Sequence, residues 1–163
     1  EYYVKCNMEF YGDEIPMRES AFVISNHQWI LDWVLMFSIG VRKGMAGACK
    51  FFAKKSILYI PGVGLGLWIM HGVFLSRNWT KDQASIEKAF ERQRKLKGHP
   101  LWMTTYPEST RLSPEKRAMS HEFARNHGLP LWQHVLVPRT KGFVAQVQGL
   151  REIVPALYDL TIA

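Results

Sequence analysis

The stretch AFVISNHQWILDW, residues 21–33, decides how the chain is read. Ala21 to Ser25 form a short apolar run closed by polar residues, the pattern of a buried strand. Asn26, His27 and Gln28 make a polar turn. From Trp29 to Val41 a helix is expected, because Ile30, Val34 and Phe37 recur at helical spacing. Working outward, GVFLS (72–76), LWMTTY (101–106) and HVLVP (134–138) repeat the strand signature, and ALYDLTIA (156–163) reads as one more strand. A helix is expected from Lys81 to Lys97, with Thr80 and Gln83 as a capping box and Ile86, Phe90, Gln93 and Leu96 on one face. Gly98 and Pro100 end it. Another starts at Ser113 as N-cap with Pro114 in the first helical position. It turns Met119 and Phe123 inward and stops at Gly128-Leu129-Pro130. Strands alternating with helices of these lengths imply an α/β fold, a mostly parallel central sheet with helices on both faces.

At 163 residues the chain has room for one core, and with no repeats or flexible linkers, residues 1–163 read as a single unit. The abrupt final strand suggests an excerpt of a longer protein. A 47% hydrophobic share with 21% charged residues excludes intrinsic disorder and fibrous classes. Cys6 and Cys49 are too few for a disulfide framework or a four-thiolate zinc site, which fits a cytosol-facing setting. The net charge of +7 is uneven: 7 basic against 6 acidic residues through Ser76, then 14 against 8 from Arg77 onward. Such a balance suits an anionic partner. Nucleic acid is disfavoured, because the aromatic residues sit inside apolar runs instead of interleaving with Lys and Arg. The uncharged stretch Ser56–Ser76 is long enough to span a bilayer, yet it holds Pro61, four glycines and His71. It reads better as a buried or bilayer-facing helical segment running into a core strand.

In an open parallel sheet, ligands gather at the carboxyl ends of the strands. Asn26, His27 and Asp32 follow the first strand, Arg77 the second, Glu108, Ser109, Thr110 and Arg111 the third, and Arg139 the fourth. His27 and Asp32 have the chemistry of a base and its orienter, since a carboxylate on one ring nitrogen lets the other accept a hydroxyl proton. Five residues apart on a regular helix they would diverge, so His27 must lie in the turn before the helix begins. The alternative is a packed structural histidine. Arginine forks match phosphate oxygens, so Arg77, Arg111 and Arg139 form a candidate cationic wall. Glu108 can hold an arginine or accept a substrate hydroxyl. Lys50, Lys54 and Lys55 read as a solvated basic turn or as attractors for a phosphate or an anionic bilayer. His71, His99, His121, His127 and His134 lack ligand spacing, and no metal is expected.

Four motifs in this order resemble those of the glycerophospholipid acyltransferases, the 1-acylglycerol-3-phosphate acyltransferase family. Asn26-His27 with Asp32 matches Asn-His-x4-Asp. Gly72 to Arg77 is similar to the loose second motif, Glu108-Ser109-Thr110-Arg111 to Glu-Gly-Thr-Arg, and Val135 to Pro138 to the apolar run into proline. The run VLVPRTKGF (135–143) is similar to the eukaryotic lysophosphatidylinositol and lysocardiolipin acyltransferase branch. One departure is Ser109, where the family has glycine.

The resemblance implies an enzyme that moves a fatty acyl group from acyl-CoA to the free glycerol hydroxyl of an anionic lysophospholipid such as lysophosphatidic acid. His27 and Asp32 would be catalytic. Arg77, Glu108, Ser109, Thr110, Arg111 and Lys54 would contact substrate, with Asn26, Gly72 and Pro138 as structural motif positions. No cofactor is implied beyond acyl-CoA as co-substrate. The implied setting is a cytosol-facing membrane surface, the endoplasmic reticulum first and mitochondrial or lipid-droplet membranes as alternatives. A second reading, drawing on Ser109, is a lipid-binding domain that keeps the fold without turnover.

Overall fold

Ala21 and Val23 point to one side of the first strand and Phe22 to the other, and all three are buried. A strand apolar on both sides has to be covered on both. The computed structural model, which describes residues 8–76, 78–96 and 98–163, shows how. Five strands, β1 (Ala21–Ser25), β2 (Cys49–Lys54), β3 (Val73–Leu75), β4 (Trp102–Thr105) and β5 (Ala156–Leu160), form one sheet in the order β3-β2-β4-β1-β5. Every pairing is parallel, and Phe22 stands opposite Met103 on one side and Leu157 on the other.

Two helices, α1 (Asp32–Arg42) and α2 (Val63–Ile69), supply Met36, Ile39 and Leu67 to one core, together with Val23, Phe51 and Trp102 from the strands. Gly40 allows α1 its close approach, since a side chain there would collide with the Cys49 sulfur and the Trp102 ring. On the opposite face α3 (Trp79–Lys95) and α5 (Thr140–Leu150) bring Ile86, Phe90 and Leu150 against Phe22 and Met103. The expected α/β architecture is therefore the one observed.

Several boundaries differ from the sequence expectation. β2 is a full strand where a solvated basic turn was expected. Lys50 is buried within it and folds its ammonium back to the Gly47 carbonyl at 2.9 Å, leaving Lys54 and Lys55 exposed. The α1 helix begins at Asp32, and its buried side is Met36, Ile39 and Gly40, so Ile30 and Val34 face outward. In α3 the cap is the Asn78 side chain, which accepts from Lys81 N, and the Thr80–Gln83 box does not form the helix start. Leu96 lies beyond α3 and is exposed.

The run HVLVP is not a strand. Its backbone donors are taken by side chains instead of a ladder: Leu136 N donates to Glu108 and Val137 N to the Ser120 hydroxyl. The remaining helix, α4 (Pro114–Asn126), starts as expected with the Ser113 hydroxyl accepting from Lys116 N, but Met119 and Phe123 are 69% and 47% exposed. The helix rests on the 129–138 segment through Ala124, Ser120 and a His121 to Trp132 carbonyl bond, so it covers no sheet face and has little apolar surface to turn inward.

Candidate active site

β1 and β4 are neighbours, so the residues after Ser25 and after Thr105 leave the sheet side by side at its carboxyl edge. The site is built from these two exits. After β1 the chain turns instead of entering a helix at once, and α1 starts only at Asp32. That turn wraps around one carboxylate oxygen. Asp32 Oδ2 accepts from His27 Nδ1 at 2.9 Å, from Gln28 N at 2.7 Å and from Trp29 N at 2.8 Å. The geometry required by five-residue spacing, His27 in the turn and the helix beginning afterwards, is thus present.

These contacts fix the tautomer. An oxygen already accepting two backbone N–H bonds is an acceptor, so in the neutral imidazole the hydrogen sits on the ring nitrogen facing it and the lone pair is on Nε2. Asp32 is 2% exposed and His27 20%, which leaves the imidazole reachable from solvent while its anchor is not. The carboxylate also sits in the first turn of a helix, where the backbone dipole favours negative charge.

After β4 a tight turn, with Ser109 N donating to the Tyr106 carbonyl at 2.9 Å, sends the Glu108 side chain inward. Its Oε1 accepts from His27 N at 3.0 Å and its Oε2 from Leu136 N at 3.0 Å. One buried carboxylate thereby ties the β1 exit, the β4 exit and the VLVP segment together. Further bonds lock the same edge: Leu112 N to the His27 carbonyl and Arg139 N to the Pro107 carbonyl. Burial raises Glu108 above the ordinary glutamic-acid range, an effect opposed by the two backbone bonds and the His27 ring and reinforced by the Asp32 charge. Expected to face substrate, Glu108 has both oxygens occupied by the protein.

Ser109 has φ +58°, the left-handed conformation that glycine adopts freely. Its place in the turn accounts physically for glycine at this motif position. Thr110 receives a bond from Lys116. Arg111 is exposed and forms no ion pair with any described residue. Lys54 is exposed at the carboxyl end of β2, separated from β1 by β4. Asn26 exchanges two bonds with Ile162 at 2.7 and 2.8 Å, fastening the turn to the chain beyond β5. Gly72 leads into β3, its N donating to the Leu67 carbonyl at 2.8 Å, and Pro138 is exposed after the VLVP run. Arg77 lies outside the described residues. Among the described residues no group of three His, Cys, Asp or Glu could hold a metal ion.

Sequence reasoning missed Tyr106. Its ring stacks on the His27 imidazole with centroids 4.4 Å apart and planes 22° from parallel. An aromatic residue one step past a strand end, on the edge that carries the histidine, was the available signal. It also missed that Leu136 contributes a backbone donor, which no side-chain motif reveals.

The arrangement can accept a proton at Nε2 of an imidazole held by a buried carboxylate, with the exposed Arg111 on the neighbouring β4 exit. The family model described as Acyltransferase matches residues 7–159. The chain is 36% identical over 146 residues to "1-acyl-sn-glycerol-3-phosphate acyltransferase 2" of Brassica napus, covering 90% of this chain and 37% of that protein. It is 36% identical over 163 residues to the "1-acyl-sn-glycerol-3-phosphate acyltransferase 3" of Arabidopsis thaliana (98% and 43%). To the "1-acyl-sn-glycerol-3-phosphate acyltransferase delta" of Mus musculus it is 34% identical over 145 residues (89% and 38%). The chain thus spans about two-fifths of the length of these relatives. No solved structure matches. With motif order, parallel sheet and sequence similarity in agreement, the chain belongs to the acyltransferase family.

Proposed function

We propose that the protein transfers a fatty acyl group from acyl-CoA to the free glycerol hydroxyl of a lysophospholipid, with 1-acyl-sn-glycerol-3-phosphate as the acceptor to which its relatives' names point. The observation that carries this reading is the 2.9 Å bond from His27 Nδ1 to the buried Asp32, on a partly exposed imidazole at the carboxyl edge. His27 Nε2 removes the hydroxyl proton as the acceptor oxygen attacks the thioester carbonyl carbon. Asp32 stabilises the imidazolium formed. The tetrahedral oxyanion collapses, the carbon–sulfur bond breaks, and the departing CoA thiolate recovers the proton from the imidazolium. Holding both substrates at one surface supplies proximity.

Arg111, exposed beside the Ser109 turn, is the described cation best placed by motif to meet the acceptor's phosphate, with Arg77 and Lys54 as its expected companions. Glu108 acts from behind, by fixing the His27 backbone. Ser109 fits its left-handed turn without disturbing that clamp, so it offers no support for a domain without turnover.

The membrane is the proposed meeting place. No described helix is long and apolar enough to cross it. Support comes from the flank between β2 and β3, where Tyr59, Leu65, Trp68 and Ile69 are each at least 60% exposed. Lys54 and Lys55 stand at its start, and from residue 33 to residue 81 the chain has no acidic residue. Exposed aromatic and aliphatic groups next to lysines fit an anionic bilayer surface.

The test is acyl transfer by the purified full-length protein in detergent, with labelled acyl-CoA and a panel of lysophospholipids. Transfer to lysophosphatidic acid that disappears in His27→Ala is expected. Transfer undiminished in His27→Ala overturns the mechanism, and labelled acyl groups on no lysolipid overturn the reaction.

A further inference from the structure

A histidine anchored through one ring nitrogen is held at one edge, and the ring can still tilt about that hydrogen bond at the cost of bending it. Nδ1 of His27 is held by Asp32 and its backbone N by Glu108, contacts that fix one edge of the ring and leave its faces to be covered by other groups. The Tyr106 ring lies against one face at 4.4 Å and 22°. Tyr106 is itself held from three directions. It leaves the end of β4, its carbonyl accepts from Ser109 N at 2.9 Å, and its side chain packs against the core beneath α1.

We propose that Tyr106 is a positioning residue for the acyl transfer, its ring acting as a wall that keeps His27 Nε2 aimed at the acceptor hydroxyl. The inference rests on the catalytic reading of His27. The ring, and not the hydroxyl, carries the role. Tyr106 Oη is buried and has no hydrogen-bond partner among the described residues. Burial, reinforced by the Asp32 charge, raises the phenol well above its ordinary range, so it stays neutral and moves no proton at working pH. A π-face against an imidazole also becomes more favourable as the imidazole acquires charge, so the stack strengthens toward the transition state. Its loss should therefore lower kcat while sparing KM.

The experiment compares Tyr106→Phe, Tyr106→Leu and His27→Ala in the full-length protein, with steady-state kinetics and NMR of 13C-labelled histidine. The His27 signal is assigned by its disappearance in His27→Ala. In the parent, the stacked ring should displace the His27 Cε1–H signal upfield. Tyr106→Phe should keep that displacement and a kcat within about threefold of the parent. Tyr106→Leu should lose the displacement and reduce kcat roughly 10- to 100-fold with KM for both substrates unchanged, the scale expected from a small misplacement of a reacting group. Tyr106→Met, without a ring and flexible enough to fill the site, replaces the leucine variant if that does not fold.

An undisplaced His27 signal in the parent overturns the inference without any variant. So does a ringless variant with parental kcat, or Tyr106→Phe as impaired as the ringless variant. A fully active His27→Ala instead defeats the catalytic reading itself, which separates the two failures.

Discussion

Two regions flanking β2 and β4 are built on opposite principles. At the β1/β4 exit, the polar groups of the turns converge on two buried carboxylates, Asp32 with three donors and Glu108 with two. On the flank from Lys55 to Ile69, a short 3-10 helix and α2 turn only Gly64 and Leu67 fully inward and leave Tyr59, Leu65, Trp68 and Ile69 to solvent. In the first, closed region both buried carboxylates are held by backbone and ring donors, as preorganised chemistry requires, while the Tyr106 hydroxyl has no partner among the described residues. The second is apolar and unsatisfied, as an interface before its partner arrives. The contrast teaches that rigidity and stickiness are separated along the sheet.

The largest effect should come from the closed region. His27→Ala removes the proposed base and should reduce acyl transfer by about 10²–10⁴-fold. Asp32→Asn keeps an acceptor for Gln28 N and Trp29 N but no charge for the imidazolium, so a loss of similar order is expected with a nearly unchanged melting temperature. Asp32→Ala should in addition destabilise the fold, because three donors lose their acceptor at about 1–3 kcal/mol for each one left buried. Thermal unfolding beside initial rates distinguishes the two variants. Equal melting temperatures for Asp32→Asn and Asp32→Ala would show that the turn does not depend on this oxygen.

Next in size is the pH response of Glu108. Because burial raises its pKa, the folded state holds this proton more tightly than the unfolded state does. Its contribution to stability is therefore fully present below the ordinary glutamic-acid range and lost as pH rises through the raised value. Activity runs the other way. Protonation turns one acceptor oxygen into a donor that faces a backbone N–H, which loosens His27 or the VLVP segment. The rate should fall on the acid side at a pH above that of ordinary glutamate, without a matching fall in melting temperature from this group. Glu108→Gln keeps one acceptor and should be about 10-fold or more impaired at every pH, with that acid limb gone. An acid limb that persists in the variant belongs to another group.

The open region gives a smaller and different signature. Trp68→Glu, a change on an exposed face, should leave the fold intact but weaken sedimentation with anionic vesicles at least about 10-fold, because it removes an insertable aromatic and adds a repelled charge. Lys54→Glu with Lys55→Glu should weaken it too, in a manner erased by salt. Binding unchanged by Trp68→Glu would mean that another surface meets the bilayer.

The same contrast marks how far the sequence could be read. Short apolar runs bounded by polar or turn residues located β1, β3, β4 and β5, and helical spacing with cap and stop signals located the bodies of α1, α3 and α4. The His27–Asp32 pair was a weak signal by spacing alone and became legible through the resemblance carried by four ordered motifs. The turn that lets the two side chains meet was the one geometry the five-residue gap permits. β2 was hidden by Lys50, whose stem is buried while its ammonium folds back to Gly47, so a charged residue masked a core strand. HVLVP misled in the opposite sense. Its apolar residues are consistent with a strand, but its N–H groups are claimed by Glu108 and Ser120, acceptors distant in sequence. Met119 and Phe123 have helical spacing without a sheet to face, which spacing alone does not reveal. The inward turn of Glu108 and the Tyr106 stack likewise depend on contacts between chain exits that pair only once the sheet has formed.

The smallest predicted effect sharpens the closed region at its one strained point. Ser109 holds φ +58° in the turn that delivers Glu108, a conformation that costs a side-chain-bearing residue about 1–2 kcal/mol and glycine almost nothing. Glycine also loses more freedom on folding, and this offsets part of the relief. Ser109→Gly should therefore raise stability by up to about 1 kcal/mol, or roughly 2–4 °C in melting temperature for a domain of this size. Ser109→Val should lower it, because a branched side chain resists the left-handed region. If the turn matters only as the hinge that aims Glu108, kcat should be unchanged in Ser109→Gly and should fall in Ser109→Val together with stability. If instead the serine hydroxyl meets the acceptor's phosphate, Ser109→Gly should raise KM for the lysolipid while stability rises. The two parameters moving apart would reassign Ser109 from the architecture of the turn to recognition of the substrate.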